Sequence, residues 1–225
     1  MILLGIETAA ELVGVALSDA EGPRAGVWVR GERRHAEALA PAIAHVLDQA
    51  GVSLPDVGAV AVDVGPGLFT GLRVGIATAQ GLAQGLGIGV LAVTSVSVLA
   101  REAYDAGWEG PVAAVVDARR GEVFCARFDG PTHETHPPAR TDPAALAAEL
   151  HGDTTLLVVG TGAHRYGGVF AAEGLHVADI REPSPRALVT IAADKLAAGE
   201  TPVPGAQVRP VYLREADARI NWVQR

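Results

Sequence analysis

Residues 64–75 read Val-Gly-Pro-Gly-Leu-Phe-Thr-Gly-Leu-Arg-Val-Gly, and this stretch combines a chain reversal with the start of a helix. Residues 59–64 are apolar at nearly every position, which predicts a strand covered on both faces of a sheet. Pro66 fixes φ and lacks an N–H, while Gly65 and Gly67 can take backbone angles closed to other residues, so the strand ends here. Thr70 offers a capping hydroxyl, which predicts a helix over residues 71–86.

Small residues recur along one side of this predicted helix. Gly71, Gly75 and Ala79 lie at i, i+4 and i+8 and therefore share a face. Each helical glycine costs roughly 1 kcal/mol relative to alanine, so several together require a reason. The residues alone leave three interpretations: the helix start binds a phosphate, the helix packs closely on its own sheet, or the stripe contacts another protein. Phosphate binding has no specific support, because neither the P-loop pattern nor the Gly-x-Gly-x-x-Gly order is present.

The order Gly-Pro-Gly-x-Phe-Thr-Gly-Leu-Arg-x-Gly at residues 65–75 resembles the signature of the TsaB family, also called YeaZ. Family members commonly have serine where Leu68 stands, so this sequence departs from the pattern at one position. Other segments match in order along almost the whole chain: residues 6–8, His35 with Glu37, Leu39 and Pro41, residues 117–123, and residues 210–214.

The resemblance implies a non-catalytic subunit of the bacterial machinery that forms N6-threonylcarbamoyladenosine beside the anticodon of tRNAs reading ANN codons. It implies pairing with a catalytic TsaD-type subunit, through the helix that carries the glycine stripe and the helix before it, and a small TsaE-type ATPase then joins. Whether the free chain forms a homodimer is left undecided. The residues expected to bind the partner are His35, Leu39, Ile43, Thr70, Gly71, Leu72, Arg73, Gly75 and Ala79.

The fold implied by the resemblance is α/β: a two-lobed actin-like ATPase (ASKHA, RNase H-like) fold with a trimmed, degenerate second lobe. Residues 1–104 would form the first lobe and residues 105–225 the second, with the C-terminal tail returning towards the first. The chain pattern agrees, because residues 2–31 read as three successive antiparallel strands and residues 35–50 as an amphipathic helix. A hairpin follows around Arg119 and Arg120, and residues 129–143 read as a loose connection.

A nucleotide site of this fold would use residues that are altered in this sequence. Glu7 stands at the end of the first strand, where TsaB-type chains usually carry Asp, and Thr8 follows it. Bulky Arg119 follows Asp117 in the second hairpin. Together with the turn at Gly160 and Gly162, these residues are interpreted as remnants of a nucleotide site, and no catalytic residue or cofactor is expected. The alternative is an active small-molecule kinase or ATPase that uses Glu7, Asp117 and this turn.

A metal site is not expected either. In TsaD a helix at this location carries a His-x-x-x-His motif, but here Leu39 follows His35 at the second position. An M22-type peptidase, the remaining alternative, would need such a metal.

Charge and composition limit the direct partners. The formal net charge is -8 at pH 7, so tRNA phosphates should repel the chain and contact with tRNA is expected only through partners. The single cysteine, Cys125, excludes an internal disulfide. No apolar run reaches membrane-spanning length and the N-terminus opens directly into a strand, so a cytoplasmic location without membrane contact is expected.

Overall fold

A computed structural model describes residues 1–30 and 34–213 and contains two five-stranded sheets. The first sheet consists of β1 (Ile2–Glu7), β2 (Leu12–Asp19), β3 (Gly22–Arg30), β4 (Val57–Asp63) and β5 (Gly89–Val93), in the order β3-β2-β1-β4-β5. β1, β2 and β3 pair antiparallel, which confirms the predicted meander, while β4 and β5 run parallel to β1. The ends of β1 and β4 therefore lie side by side.

The second sheet consists of β6 (Val112–Arg119), β7 (Glu122–Phe128), β8 (Glu134–Thr141), β9 (Leu157–Val159) and β10 (His176–Val177), in the order β10-β9-β6-β7-β8. The hairpin between β6 and β7 turns at Arg119 and Arg120, with φ of 62° and 55°. The prediction of a loose connection over residues 129–143 is wrong, because β8 pairs with β7 there. β8 is an edge strand, where its two prolines need not donate to a neighbour.

Within residues 1–30 and 34–213, seven helices pack around the sheets: α1 (His35–Ala50), α2 (Phe69–Leu86), α3 (Ser95–Asp105), α4 (Pro143–Leu150), α5 (Thr161–Arg165), α6 (Gly167–Ala172) and α7 (Pro185–Ala197). Two short 3-10 helices, Leu54–Asp56 and Gly205–Gln207, complete the described chain. α1 and α2 share one core with the first sheet, while α3 and α7 share another that contains alternate residues of the same strands. The first sheet is thus covered on both faces, with α1 and α2 side by side on one of them.

The last part of the described chain belongs with the first sheet. We predicted that residues 105–225 form the second lobe and that only the tail returns, but α7 already packs on the first sheet, where Leu188 and Ile191 join its core. Val203 then pairs with Val90, and the Val211 N–H donates to the Val64 carbonyl at 2.8 Å. Arg214, the end of the matched segment 210–214, lies outside the described residues. The division into two domains stays a prediction.

No helix among the described residues is both long enough and apolar enough to cross a membrane.

Candidate partner-binding site

The reversal before α2 presses against the turn that follows β1. Gly65 has a φ of 101°, in the left-handed region that favours glycine. The Leu68 N–H donates to the Ala9 carbonyl at 2.7 Å, and a Cβ at Gly67 would lie 2.3 Å from the same oxygen. The expected cap is wrong: the helix begins at Phe69, its N-cap residue is Leu68, and Thr70 lies in the first turn.

The glycine stripe of α2 faces the chain's own sheet. A Cβ at Gly71 would lie 2.0 Å from the Thr8 carbonyl oxygen, and a Cβ at Gly75 would lie 2.2 Å from Thr8 Oγ1. Ala79 is completely buried. The stripe lets α2 pack on the end of β1, which is the internal-packing interpretation. Our assignment of Gly71, Gly75 and Ala79 to the partner surface is therefore corrected.

Four more residues of the expected partner surface are buried. His35 Nε2 donates to the Ala10 carbonyl at 2.8 Å, which ties the start of α1 to the turn after β1. Leu39, Ile43 and Leu72 lie in the core between α1, α2 and the sheet. These side chains hold the two helices in place and do not face outwards, so a partner would meet only their neighbours. Thr70 and Arg73 are the two residues of the expected set that are exposed.

A second stripe of small residues covers the exposed side of both helices. On α2, Gly81 and Gly85 are exposed, and a Cβ at either position would meet no atom within 4 Å. On α1 the exposed side repeats alanine at every fourth position. We call this surface the outer face; its members are Ala36, Ala40, Ala44, Ala77, Gly81 and Gly85. Because it lacks long side chains, another backbone can approach it closely.

An aromatic cluster stands at the start of α2, beside the outer face. Phe69 and Tyr212 are each 48% exposed, and their ring centroids are 5.5 Å apart. The Arg73 guanidinium lies 3.8 Å from the Phe69 ring centroid, and its Nε donates to the Tyr212 hydroxyl at 3.2 Å. Cavities of 720 Å³ and 590 Å³ both adjoin Phe69. We call Phe69, Arg73 and Tyr212 the Phe69 cluster.

The cleft at the ends of the two sheets is small and closed by an ion pair. Its cavity of 160 Å³ is lined by Glu11, Asp117, Arg119 and Arg165 among others. Arg119 Nη2 lies 2.9 Å from Glu11 Oε1 and so joins the second hairpin to the turn after β1. Arg119 and Arg165 also approach Asp117 at 3.5 and 3.6 Å. Both arginines are thus engaged with carboxylates in the structure.

The glycines of the predicted nucleotide turn are explained by packing. Gly160 has a φ of 108°, and a Cβ there would lie 2.3 Å from the Val115 carbonyl oxygen. A Cβ at Gly162 would lie 3.0 Å from the Val116 carbonyl carbon. Thr161 Oγ1 accepts a hydrogen bond from the Asp117 N–H at 3.0 Å. The turn therefore seats α5 against β6.

Two completely buried carboxyls lie behind this cleft, and a third, partly buried carboxyl stands nearby on α3. Glu7 and Asp63 end the neighbouring strands β1 and β4 and are completely buried, so they do not line the cavity. Burial, and then repulsion from Asp63, raises the pKa of Glu7 well above its ordinary value. Burial also raises the pKa of Asp63, and it raises the pKa of Glu102 on α3 to about 7. Within residues 1–30 and 34–213, no group of three or more His, Cys, Asp or Glu side chains could hold a metal ion.

Glu102 leads us to expect that stability falls as pH rises. Its pKa is raised on folding to about 7, so its favourable contribution is complete below the unfolded pKa and is lost as pH rises through about 7. We expect the melting temperature to fall between about pH 5 and pH 8, and Glu102→Gln to make that fall smaller. Thermal melts across this range provide the measurement, and an identical fall in the variant would contradict the assignment.

Comparisons with known proteins decide the family. The TsaB protein of tRNA threonylcarbamoyladenosine biosynthesis from Escherichia coli K12 is 32% identical over 223 residues, covering 95% of each chain. This chain is a member of the TsaB family. Residues 29–151 also match the family model described as TsaD, tRNA N6-adenosine threonylcarbamoyltransferase. The predicted family is thus confirmed, and the protein takes part in threonylcarbamoyladenosine biosynthesis.

Solved structures agree with this membership. YeaZ from Pseudomonas aeruginosa superposes with a TM-score of 0.82 at 30% identity, covering 94% of this chain and 100% of that one. The activator of the 2-hydroxyisocaproyl-CoA dehydratase from Clostridium difficile has a TM-score of 0.52 at 9% identity, covering 94% and 99%, and shows the fold alone. The predicted two-lobed actin-like fold is confirmed.

Sequence reasoning missed three features of this TsaB chain: the outer stripe on α2, the buried Asp63, and the contact between Phe69 and Tyr212. The outer stripe on α2 was detectable, because Arg73 and Gln84 flank it whereas Leu72 and Ile76 flank the inner stripe. Asp63 was detectable as the one acidic residue in an otherwise apolar strand. Phe69 and its contact with Tyr212 had no signal, because 143 positions separate the two residues in the chain.

Proposed function

We propose that this TsaB chain is a non-catalytic scaffold that binds a TsaD-type catalytic subunit and supports threonylcarbamoyl transfer to tRNA. The observation that carries the proposal is the outer face, whose α2 glycines have open space around them. Each exposed helical glycine costs roughly 1 kcal/mol relative to alanine, and nothing within the described chain offsets that cost. A partner helix that packs closely on these positions would offset it.

The family-model match supports a partner of related shape. Residues 29–151 match the TsaD model and include both α1 and α2, so a TsaD-type subunit should present a helix pair of the same kind. Two such pairs can pack around a pseudo-two-fold axis, as in isologous interfaces. The same geometry would serve a homodimer of the free chain, in competition with the TsaD-type subunit.

The cleft supports a non-catalytic role. Its 160 Å³ is below the roughly 300–1,000 Å³ of typical small-ligand pockets, and the adjoining 720 Å³ cavity is lined mostly by apolar residues. Glu7 is buried behind the cleft, and the carboxylates of Glu11 and Asp117, which do line it, are paired with Arg119. The kinase or ATPase alternative therefore lacks a specific observation in its favour. Calorimetry with ATP and Mg²⁺ should detect no tight one-site binding to the isolated chain.

Charge argues against direct contact with tRNA, and the family resemblance supplies the remaining partner. A net charge of -8 opposes direct binding of tRNA, which we assign to the partners. A TsaE-type ATPase would join the pair of subunits.

Truncating the aromatic cluster should weaken partner binding. Phe69 is a large exposed apolar side chain with cavities beside it, the kind of residue that dominates protein interfaces. We expect Phe69→Ala to lower the affinity for the TsaD-type subunit about 10-fold or more, at about 1.4 kcal/mol for each factor of ten. The change should leave the melting temperature nearly unaltered, because the side chain is half exposed. Titration calorimetry measures the affinity, and an unchanged value would place Phe69 outside the interface.

Co-purification with the TsaD-type protein of the same organism tests the proposed partner. We expect a stoichiometric complex in size-exclusion chromatography. Two separate peaks at concentrations well above the physiological range would contradict the proposal, whatever the free chain does alone.

A further inference from the structure

Glu7 and Asp63 form a side-chain pair that the proposed scaffold function does not use. They follow the paired residues Ile6 and Val62 on the parallel strands β1 and β4, so their side chains are neighbours, which repel each other when both are ionised. Both are completely buried. Among the described residues, neither forms an ion pair with a lysine or arginine, so their charge has no counterion.

The hydrogen bonds of the pair leave two oxygens without a donor. Glu7 Oε1 accepts from the Ala9 N–H at 2.7 Å. Asp63 Oδ1 accepts from the Gly65 N–H at 2.6 Å and from the Ser95 hydroxyl at 2.7 Å. Glu7 Oε2 and Asp63 Oδ2 are buried and accept from no N–H or O–H group of the residues that the structure describes. A buried acceptor without a donor is costly, and two ionised carboxylates in contact add repulsion.

The surroundings of the pair favour a proton over a metal ion. The titratable group that faces it is Glu102 of α3, which adds negative charge; Ser95 of the same helix and Pro185 at the start of α7 are neutral. The pair and Glu102 do not form a group that could hold a metal ion, within the part of the chain that the structure describes. A single proton needs no further ligand, and it satisfies both orphaned oxygens.

We propose that Glu7 and Asp63 form a proton-binding site in which Glu7 Oε2 carries the proton and donates it to Asp63 Oδ2, and that this proton fixes the reversal from which α2 starts. Asp63 holds that reversal through the Gly65 N–H, and Ser95, its other donor, gives its own N–H to the Gly65 carbonyl at 3.0 Å. Glu7 holds Ala9, whose carbonyl accepts from Leu68. The protonated pair thus positions both sides of the segment that precedes Phe69.

Loss of the proton should loosen this segment. At alkaline pH the O–H bond of Glu7 breaks, the proton leaves for solvent, and two negative charges remain in a closed site. Burial, and then the charge of Asp63, raises the pKa of Glu7, which is the direction that favours its protonated form. Partner affinity and melting temperature should then fall together as the pair ionises, because the Phe69 cluster depends on the start of α2.

Infrared difference spectroscopy of the carboxyl region tests the site. The full chain carrying Glu102→Gln removes the neighbouring acid and should still show the carbonyl band of one protonated, buried carboxylic acid at neutral pH. Adding Glu7→Gln, whose amide can donate to Asp63, should abolish that band and flatten the remaining alkaline fall in melting temperature. Adding Asp63→Asn instead should abolish the band as well, because its amide donates to an ionised Glu7.

Two results would overturn the proposal. One is the absence of a protonated-acid band from the Glu102→Gln protein at neutral pH, a measurement that requires no change in the pair. The other is a band that persists unaltered with either substitution in the pair. If Glu7→Gln fails to fold, the Asp63→Asn protein tests the shared proton through loss of the same band.

Discussion

Gly75→Leu should unfold the protein or lower its melting temperature by about 10 °C or more, before any question of partner binding arises. The Cβ of the new side chain would lie 2.2 Å from Thr8 Oγ1 and 3.4 Å from Ile6 Cγ2. Ile6 lies in β1 in the middle of the first sheet, Thr8 follows that strand directly, and both are completely buried, so neither has room to withdraw. Overpacking of this kind costs about 1–3 kcal/mol or more, out of a total stability of about 5–15 kcal/mol.

Thermal melting with circular dichroism measures this effect. Gly71→Leu should behave in the same way, because its Cβ would lie 2.0 Å from a backbone oxygen. A Gly75→Leu protein that melts at the wild-type temperature and merely fails to bind its partner would restore the surface assignment that the structure corrects.

Gly81→Leu should raise the melting temperature, unlike Gly75→Leu, and should weaken the binding of the TsaD-type subunit. A Cβ at Gly81 meets no atom within 4 Å, so the free protein has room for the side chain. Replacing an exposed helical glycine recovers roughly 1 kcal/mol of helix propensity, and the melting temperature should rise by about 2–4 °C. A close helix crossing needs an interaxial distance near 8 Å, and a leucine in the seam should weaken TsaD-type binding about 10- to 100-fold.

Gly81→Ala is the matched control for Gly81→Leu at the outer face. Its single methyl group should raise the melting temperature by a similar amount. Most of the affinity for the TsaD-type subunit should remain, because the same stripe already contains an alanine, Ala77. Titration calorimetry of both variants against the purified TsaD-type subunit separates the cases. Unaltered affinity of Gly81→Leu would exclude the outer face as the binding surface.

The sequence predicted α1, α2 and the meander of β1 to β3 because the periodicity and turns that define them are local, whereas α4, α5 and α6 were not predicted. α1 occurs at His35–Ala50 as expected, and Thr94 Oγ1 accepts from the Ser97 N–H at the start of α3. β8 escaped prediction, since Pro137 and Pro138 argue against a strand unless its position at the sheet edge is known. The return of α7 to the first sheet also depends on tertiary packing, which no local pattern reveals.

The orientation of α2 shows where sequence reasoning about the site ended. Two stripes of small residues repeat every fourth position on this one helix, and the sequence separates them only through their neighbours, which are polar beside one stripe and apolar beside the other. The family signature drew attention to Gly71 and Gly75, which pack against the end of β1. The stripe that includes Gly81 lies outside the signature, and its open surroundings in the structure show that it is exposed.

Reconstituted tRNA modification tests the central claim most directly. Purified TsaD-type and TsaE-type proteins, with their substrates and an unmodified tRNA reading an ANN codon, are assayed for threonylcarbamoyladenosine with and without this chain. We predict that product forms only when the chain is present and that Gly81→Leu reduces it while the protein stays folded. Full modification in the absence of the chain would contradict the account.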